Sequence, residues 1–300
     1  MTRRYECLVQ YLLRPSGPWV ATDNRDAAQV AQRQKLPNRS LERATLCPYP
    51  GLAAFSEEEA AFFFGRERAI DRLVQRLRPM PRLLALLGPS GTGKTSLINA
   101  GLIPRLRAGV LRSSDRWKIL MLRFSESSFS ELGKESAPEL WKDLLGSIEH
   151  ILLAEPEYTR VLLVIDQCEE IFLSESTEVR ALFDTQLANL LSASVPCTVL
   201  VSLRDVFYTQ FMQQFPAVVP WLEEGLVNLP QTLNGNELCA IVAEPAHRMG
   251  VVFEVILLTT IVDDARRAAP GPQGGLAQTS ILPLLQFCLF HLWNSRSEGS

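Results

Sequence analysis

The sequence predicts an α/β protein: a mostly parallel β-sheet flanked by helices, with a small helical subdomain at the C-terminal end. Three observations predict it. Four short apolar runs alternate with helix-like stretches, the pattern of parallel strands joined by helical crossovers. A glycine-rich turn follows directly on the first of those runs. Beyond residue 230 the runs give way to longer apolar segments of helical character. The expected division is a poorly ordered leader over 1–46, an α/β domain over 47–230 and a helical subdomain over 231–300.

Composition sets the bounds. The 300 residues are 47% apolar and 21% charged, which suits a globular chain with a sizeable core and argues against general disorder. The formal charge of −3 gives no field that would draw the chain to nucleic acid or an anionic membrane. Eight bases and four acids make the leader basic, at +4, on a body of −7, a weak asymmetry. Cys7, Cys47, Cys168, Cys197, Cys239 and Cys288 lie far apart without a Cys-x-x-Cys pair, and His150, His247 and His291 are equally scattered. That spacing is not of zinc type. Cys168, Cys197, Cys239 and Cys288 sit in apolar stretches and read as buried reduced thiols. No apolar run reaches the roughly 18–20 residues of a bilayer span, and Glu6, Gln10 and Arg14 interrupt any signal-peptide core. A cytoplasmic protein with no membrane or specific nucleic-acid partner is expected.

Along the chain, Pro48, Pro50 and Gly51 mark an irregular entry. Ser56 and Glu59 have capping-box spacing, so a short helix is expected to follow and stop near Gly65. Ile70, Leu73, Val74 and Leu77 recur at helical spacing, predicting an amphipathic helix over 67–77 with Arg68, Arg72 and Arg76 elsewhere on its surface, ended by Pro79 and Pro81. The run 83–87, LLALL, is too short for a buried helix and predicts a strand buried on both faces. The runs 118–122, 161–165 and 198–203 share its character. Helices are expected at about 95–107, 138–153 and 177–192, the last with a stripe of Leu182, Phe183, Leu187, Leu190 and Leu191. Segments 236–249 and 281–293 read as helices separated by the Pro/Gly-rich loop 269–275.

The glycine turn carries the chemistry. Gly88-Pro89-Ser90-Gly91-Thr92-Gly93-Lys94-Thr95 satisfies G-x-x-x-x-G-K-[ST] between a buried strand and a helix. Glycines let such a loop turn its amides inward around phosphate oxygens, and the helix start adds unpaired N–H groups. Lys94 would supply a point charge, and the Thr95 hydroxyl would join a magnesium shell. With Ser96, the loop residues Gly88, Ser90, Gly91, Thr92, Gly93, Lys94 and Thr95 are the candidate phosphate binders.

A second acidic element follows on VLLVI. Asp166 ends that strand as a Walker B aspartate does, where it would hold magnesium with Thr95. Glu169 or Glu170 would orient, or take a proton from, a water attacking the γ-phosphate, with Glu170 favoured. The other reading makes both solvated acids at a helix start. Arg204, just beyond the fourth strand, either senses the γ-phosphate with its fork of donors or pairs with Asp205 or another acid. No Asn-Lys-x-Asp element is present to read guanine, which leaves adenine, and ATP with Mg2+ as the expected ligands.

Six segments occur in order: 47–67, 88–106, 161–172, 200–208, 244–254 and 282–293. Together, and especially in Phe-Gly-Arg-Glu before the glycine loop and Asp-Gln-x-Glu-Glu after it, the chain resembles the novel STAND NTPase domain, a branch of the signal-transduction P-loop ATPases related to NACHT and NB-ARC switches. The resemblance covers about 47–293. It implies that Gly65 and Arg66 frame an adenine pocket, that Lys94, Thr95 and Asp166 bind phosphate and magnesium, and that Glu169 and Glu170 supply the hydrolytic acid. It also implies that Arg204 holds the first sensor position and that Pro283 approaches the nucleotide from a helical lid. Cys168 stands where the family usually has phenylalanine. Family members usually continue through a winged-helix region into sensor repeats, so residues 231–300 are expected to be an incomplete lid.

The function expected is an ATP-binding, slowly ATP-hydrolysing conformational switch in signalling or regulated assembly, self-associating or acting with a separate sensor or effector protein. The alternatives are a nucleotide-binding interaction module with weak catalysis and a P-loop kinase. Only Arg266 and Arg267 lie near the 269–275 loop, where a kinase lid would be rich in arginine.

Overall fold

The structure is a computed structural model in which residues 20–21, 47–123, 143–173, 177–222, 225–268 and 280–296 are described. The leader apart from Val20–Ala21, residues 138–142 of the helix expected at 138–153 and the 269–275 loop lie outside the described residues. No helix among the described residues is long and apolar enough to cross a membrane.

The main sheet has strands β2 (Leu83–Leu87), β3 (Trp117–Arg123), β4 (Arg160–Asp166), β5 (Cys197–Leu203) and β6 (Leu226–Asn228), in the order β3-β4-β5-β2-β6, every pair parallel. All five residues of β2 and all seven of β5 are buried, as are the last six of β4. Parallel strands covered on both faces need such unbroken apolar runs. The expectation fails for β3, which is largely half-exposed, with Met121 at 41%. Among the described residues it lies at the sheet edge, with β4 as its one strand neighbour. β6 was not expected, because three residues are too few to show periodicity.

The chain divides into two compact units. A sheet unit comprises residues 68–89 and 102–229, and a helical unit comprises residues 1–67, 90–101 and 230–300. Each has its own core. In the sheet unit Leu163, Ile165, Val199 and Val201 pack with Ile148, Phe183, Leu187 and Leu191. The last four come from α4 (Leu144–Ala154) and α5 (Thr177–Ser192). The bounds of α5 match the sequence expectation, but Leu182 leaves the stripe and is 41% exposed. A ring cluster extends this core, Phe215 meeting Phe172, Phe183 and Phe211 at centroid distances of 5.6, 4.9 and 5.0 Å.

Helix α1 (Glu67–Leu77) buries Ile70, Leu73, Val74 and Leu77, the four residues its spacing singled out. The helix expected at 95–107 is three pieces: α2 (Lys94–Ser96), a π-helical stretch over Leu97–Leu102, and α3 (Ile103–Arg107). The short α6 (Tyr208–Gln214) was not anticipated.

The helical unit is built on α7 (Gly235–Arg248), α8 (Val255–Ala268) and α9 (Leu282–Asn294). Tyr49, Ile241, Val242, Ile261, Leu285 and Trp293 share its core. The Tyr49 hydroxyl donates to the Val242 carbonyl at 2.5 Å, and its ring meets Trp293 edge-on. Val251–Val252 (β7) pairs antiparallel with Val20–Ala21 (β1). A full capping box opens α7: the Glu237 N–H donates to Asn234 Oδ1 and the Asn234 N–H to Glu237 Oε2, both at 2.9 Å. At Ser56 only half of the expected box is seen, the Ser56 N–H on Glu59 Oε2 at 2.8 Å. The helix expected there is reduced to a three-residue 3₁₀ turn, Ala60–Phe62, after which Phe63 is extended. Phe55 and Phe62 are instead drawn into a small cluster with Ala100.

Leu163 on β4 has no exposed surface, whereas Leu153 on α4 is 81% exposed. Leu163→Ala should therefore lower unfolding stability by about 2–5 kcal/mol. Leu153→Ala should change it by less than about 0.5 kcal/mol. Urea unfolding of the two variants checks this, and equal losses would contradict the enclosure of β4 between β3 and β5.

Candidate nucleotide-binding site

The chain leaves β2 at Leu87 and passes through Gly88 and Pro89 into the glycine turn. Gly91 (φ 75°) and Gly93 (φ 80°) are left-handed, separated by one residue. Alternation of this kind swings successive N–H groups toward a common point. Gly93 caps α2 and its carbonyl accepts from the Leu97 N–H at 2.8 Å, so Lys94 is the first helical residue. Lys94 and Thr92 are buried, and Thr95 and Ser96 are partly so.

Within the helical unit three segments meet this turn. The Ser280 N–H donates to the Ser90 carbonyl at 3.2 Å. Pro283 lies so close to Gly91 that a Cβ there would stand 2.8 Å from its Cγ. The Ser96 hydroxyl accepts from the Phe55 N–H at 3.1 Å, which gives it a structural bond. Arg66 is 5% exposed and donates from Nη2 to the Thr92 carbonyl at 3.1 Å. Its Nε is buried with no hydrogen-bond partner among the described residues. Burial pulls the Arg66 guanidinium below its usual range, and the Glu237 and Glu67 carboxylates oppose this. Gly65, at φ 75°, is threaded against α7: a Cβ would lie 2.4 Å from the Glu237 carbonyl oxygen and 2.7 Å from Ile241 Cγ1. Only glycine fits there.

The sheet unit gathers the acids at the C-terminal ends of β3, β4 and β5. Asp166 has no exposed surface. Its Oδ1 accepts from the Ser202 hydroxyl at 2.6 Å, and its Oδ2 accepts from Arg123 Nη2 at 2.9 Å and Nε at 3.2 Å. Ser202 also receives the Gln167 N–H at 3.2 Å, where Gln167 takes a left-handed φ of 52°. The turn after Asp166 is a 3₁₀ helix, Cys168–Leu173, with the Cys168 side chain fully buried and burial pushing its thiol up.

The two glutamates differ. Glu169, 5% exposed, is held by Arg204: Nε stands 2.9 Å from its Oε1, and the Arg204 N–H donates to its Oε2 at 3.2 Å. The acid beside Arg204 is thus Glu169. Asp205 accepts from the Val206 N–H. Glu170 has one carboxylate oxygen, Oε2, buried with no hydrogen-bond partner among the described residues. Burial raises its carboxyl above the usual range. Arg123 and Arg204 act against that, while Glu169 and Asp166 reinforce it.

Arg123 and Ser202 were not singled out in the sequence. Ser202 lay within a run read for its apolar residues, and Arg123 becomes significant only once the register sets it directly opposite Asp166. Of the residues expected to bind or act, the helical unit holds Gly65, Arg66, Ser90 to Ser96 and Pro283, and the sheet unit holds Gly88, Asp166, Glu169, Glu170 and Arg204. In the helical unit, a buried guanidinium Nε with no hydrogen-bond partner among the described residues and left-handed glycines before a buried lysine suit a phosphate-bearing ligand. In the sheet unit, the Asp166 carboxylate is a hard oxygen donor of the kind Mg2+ takes.

Residues 48–300 match the family model Novel STAND NTPase 1. No curated protein matches the sequence. Among solved structures, the ADP form of the Aeropyrum pernix ORC2 protein is similar at a TM-score of 0.51 and 13% identity, over 75% of this chain and 60% of that one. C. elegans PCH-2 aligns over 75% of this chain and 67% of its own with 19% identity and a TM-score of 0.44. The E. coli MS115-1 HORMA:CdnC:Trip13 complex aligns over 83% of this chain and 94% of the matched one, with 14% identity and a TM-score of 0.48. The first likeness is one of fold, the α/β P-loop fold.

The raised Glu170 carboxyl has a consequence for stability. An acid whose folded value lies above its unfolded value loses its contribution as pH rises through that interval. Glu170→Gln should therefore melt higher than the parent at neutral pH. The difference should shrink below the ordinary carboxylate range, where Glu170 is protonated in both states. Thermal melts across pH check the sign.

Proposed function

The chain belongs to the novel STAND NTPase 1 family, and from that premise we propose that it is a magnesium-dependent, slowly ATP-hydrolysing conformational switch. The observation that carries the reading is the division of labour among the three acids. Asp166 and Glu169 are each held by an arginine, and of the three acids Glu170 alone keeps a buried oxygen without a donor among the described residues. A carboxylate in that condition is a suitable acceptor for the proton of an attacking water.

In this reading the amides of Ser90 to Thr95 and the Lys94 ammonium grip the phosphates, and Thr95 and Asp166 hold the ion. Arg66 offers its Nε to the base or ribose side of the nucleotide, and Gly65 lets it sit deep. Magnesium, when bound, neutralises charge on the phosphate oxygens. Glu170 positions and deprotonates the water, with Arg204 fixing Glu169 beside it. Ser280 and Pro283 carry the state of the loop into α9, because they rest on Ser90 and Gly91. Residues 231–300 are then the lid that responds. ATP shifts the equilibrium only by its difference in affinity for the two arrangements. The responding surface would take a second copy or a separate sensor or effector protein. The five cysteines among the described residues are free, which accords with a cytoplasmic setting.

A second reading, a nucleotide-binding interaction module with weak catalysis, is favoured by the same ion pairs, since two of the three acids are already engaged. The kinase reading is weaker, because Arg266 faces Asp263 at 3.9 Å and Arg267 is paired with Asp264 at 3.0 Å.

Lys94→Ala should weaken ATP binding at least about 100-fold in equilibrium titration, as the loss of a buried charge-assisted contact does. Undiminished binding would refute the site. Glu170→Gln should keep ATP binding and slow phosphate release by about 100-fold or more. Parent turnover no faster than that of Lys94→Ala would instead favour the non-catalytic module.

A further inference from the structure

Arg123 holds the one acid that the proposed magnesium must reach. Asp166 is fully enclosed, so its carboxylate cannot turn away, and its charge requires a partner when no cation is present. Ser202 supplies a neutral donor to Oδ1. A counter-charge comes from Arg123, whose Nε and Nη2 both fall on Oδ2. The pairing is built into the sheet, since Arg123 ends β3 directly opposite Asp166 at the end of β4. The two partners differ in freedom: the Arg123 side chain is 49% exposed and Asp166 is at 0%. The guanidinium therefore has solvent to move into, and the carboxylate has none.

We propose that Arg123 is a resting-state counter-ion that competes with magnesium for Asp166, setting the magnesium concentration at which nucleotide is retained. This rests on the reading of Asp166 as a magnesium ligand. A cation held by the Asp166 carboxylate would meet the guanidinium already seated on it, and like charges oppose joint occupancy at short range. The apparent affinity for magnesium then falls by the fraction of molecules in which Arg123 has released its partner. Arg123 is thus a positioning residue, and its effect is on occupancy, not on the chemical step.

The experiment tracks binding of a non-hydrolysable, ribose-labelled fluorescent ATP analogue as magnesium is titrated, so the readout is nucleotide occupancy. If Arg123 locks about nine molecules in ten, Arg123→Gln should lower the half-maximal magnesium concentration about tenfold. Arg123→Lys, which keeps a charge and loses the fork, should lower it by a smaller factor. Ser202→Ala removes a neutral donor from the same carboxylate and should not lower it. A midpoint for Arg123→Gln equal to or above the parent's overturns the proposal, as does an equal drop in Ser202→Ala. If the Gln variant does not fold, the Lys variant decides by the same comparison. Nucleotide binding by the parent that ignores magnesium altogether sinks the Asp166 reading instead, so the two failures are told apart.

Discussion

Asp166 is a carboxylate with no exposed surface, set at the end of a strand whose preceding five residues are apolar and equally enclosed. Burying an unpaired carboxylate is among the costliest things a chain can do. The surrounding sheet is arranged around that cost. β3 must run in the register that brings an arginine opposite, and β5 must place a hydroxyl beside the other oxygen. Central strands that are covered on both faces leave polar chemistry nowhere to go except their ends. The acids, their arginines and the entry to the glycine turn accordingly follow the last residues of β2, β3, β4 and β5.

The helical unit solves a different problem, that of holding an irregular backbone. A turn with two left-handed glycines has little internal structure to keep its shape. Its form is kept by what rests on it: the Arg66 guanidinium on the Thr92 carbonyl, the Ser280 N–H on the Ser90 carbonyl, the Phe55 N–H on the Ser96 hydroxyl, and Pro283 on Gly91. Arg66 is in turn fixed by Gly65, where the absence of a side chain lets the chain pass flush against α7.

Much of this was legible beforehand. α1 and α5 came out at their expected bounds because their apolar spacing fits one period cleanly. The glycine turn between strand and helix was legible because its residue types have few other uses. β3 misled because KILML is as apolar as its neighbours, and its edge position is a matter of strand order. α8 escaped notice because its opening residues, VILLTTIV, are rich in β-branched side chains that disfavour helix, yet Ile261, Val262 and Ala265 bury enough to hold it. Asn234 and Glu237 have capping-box spacing and make the full box, whereas Ser56 and Glu59, with the same spacing, make half of it. Arg123 could not have been found from spacing alone, since 43 residues and a pairing register separate it from Asp166.

The helical unit is stitched from three stretches of chain, the last of which begins only at Pro230. Ribosomal synthesis proceeds from the N-terminus, so 47–67 and the glycine turn emerge long before α7, α8 and α9. The sheet unit, complete once Leu229 is made, can mature first and shelter its acids while the turn still lacks the residues that brace it. The bracing of the glycine turn is therefore completed only late in biosynthesis.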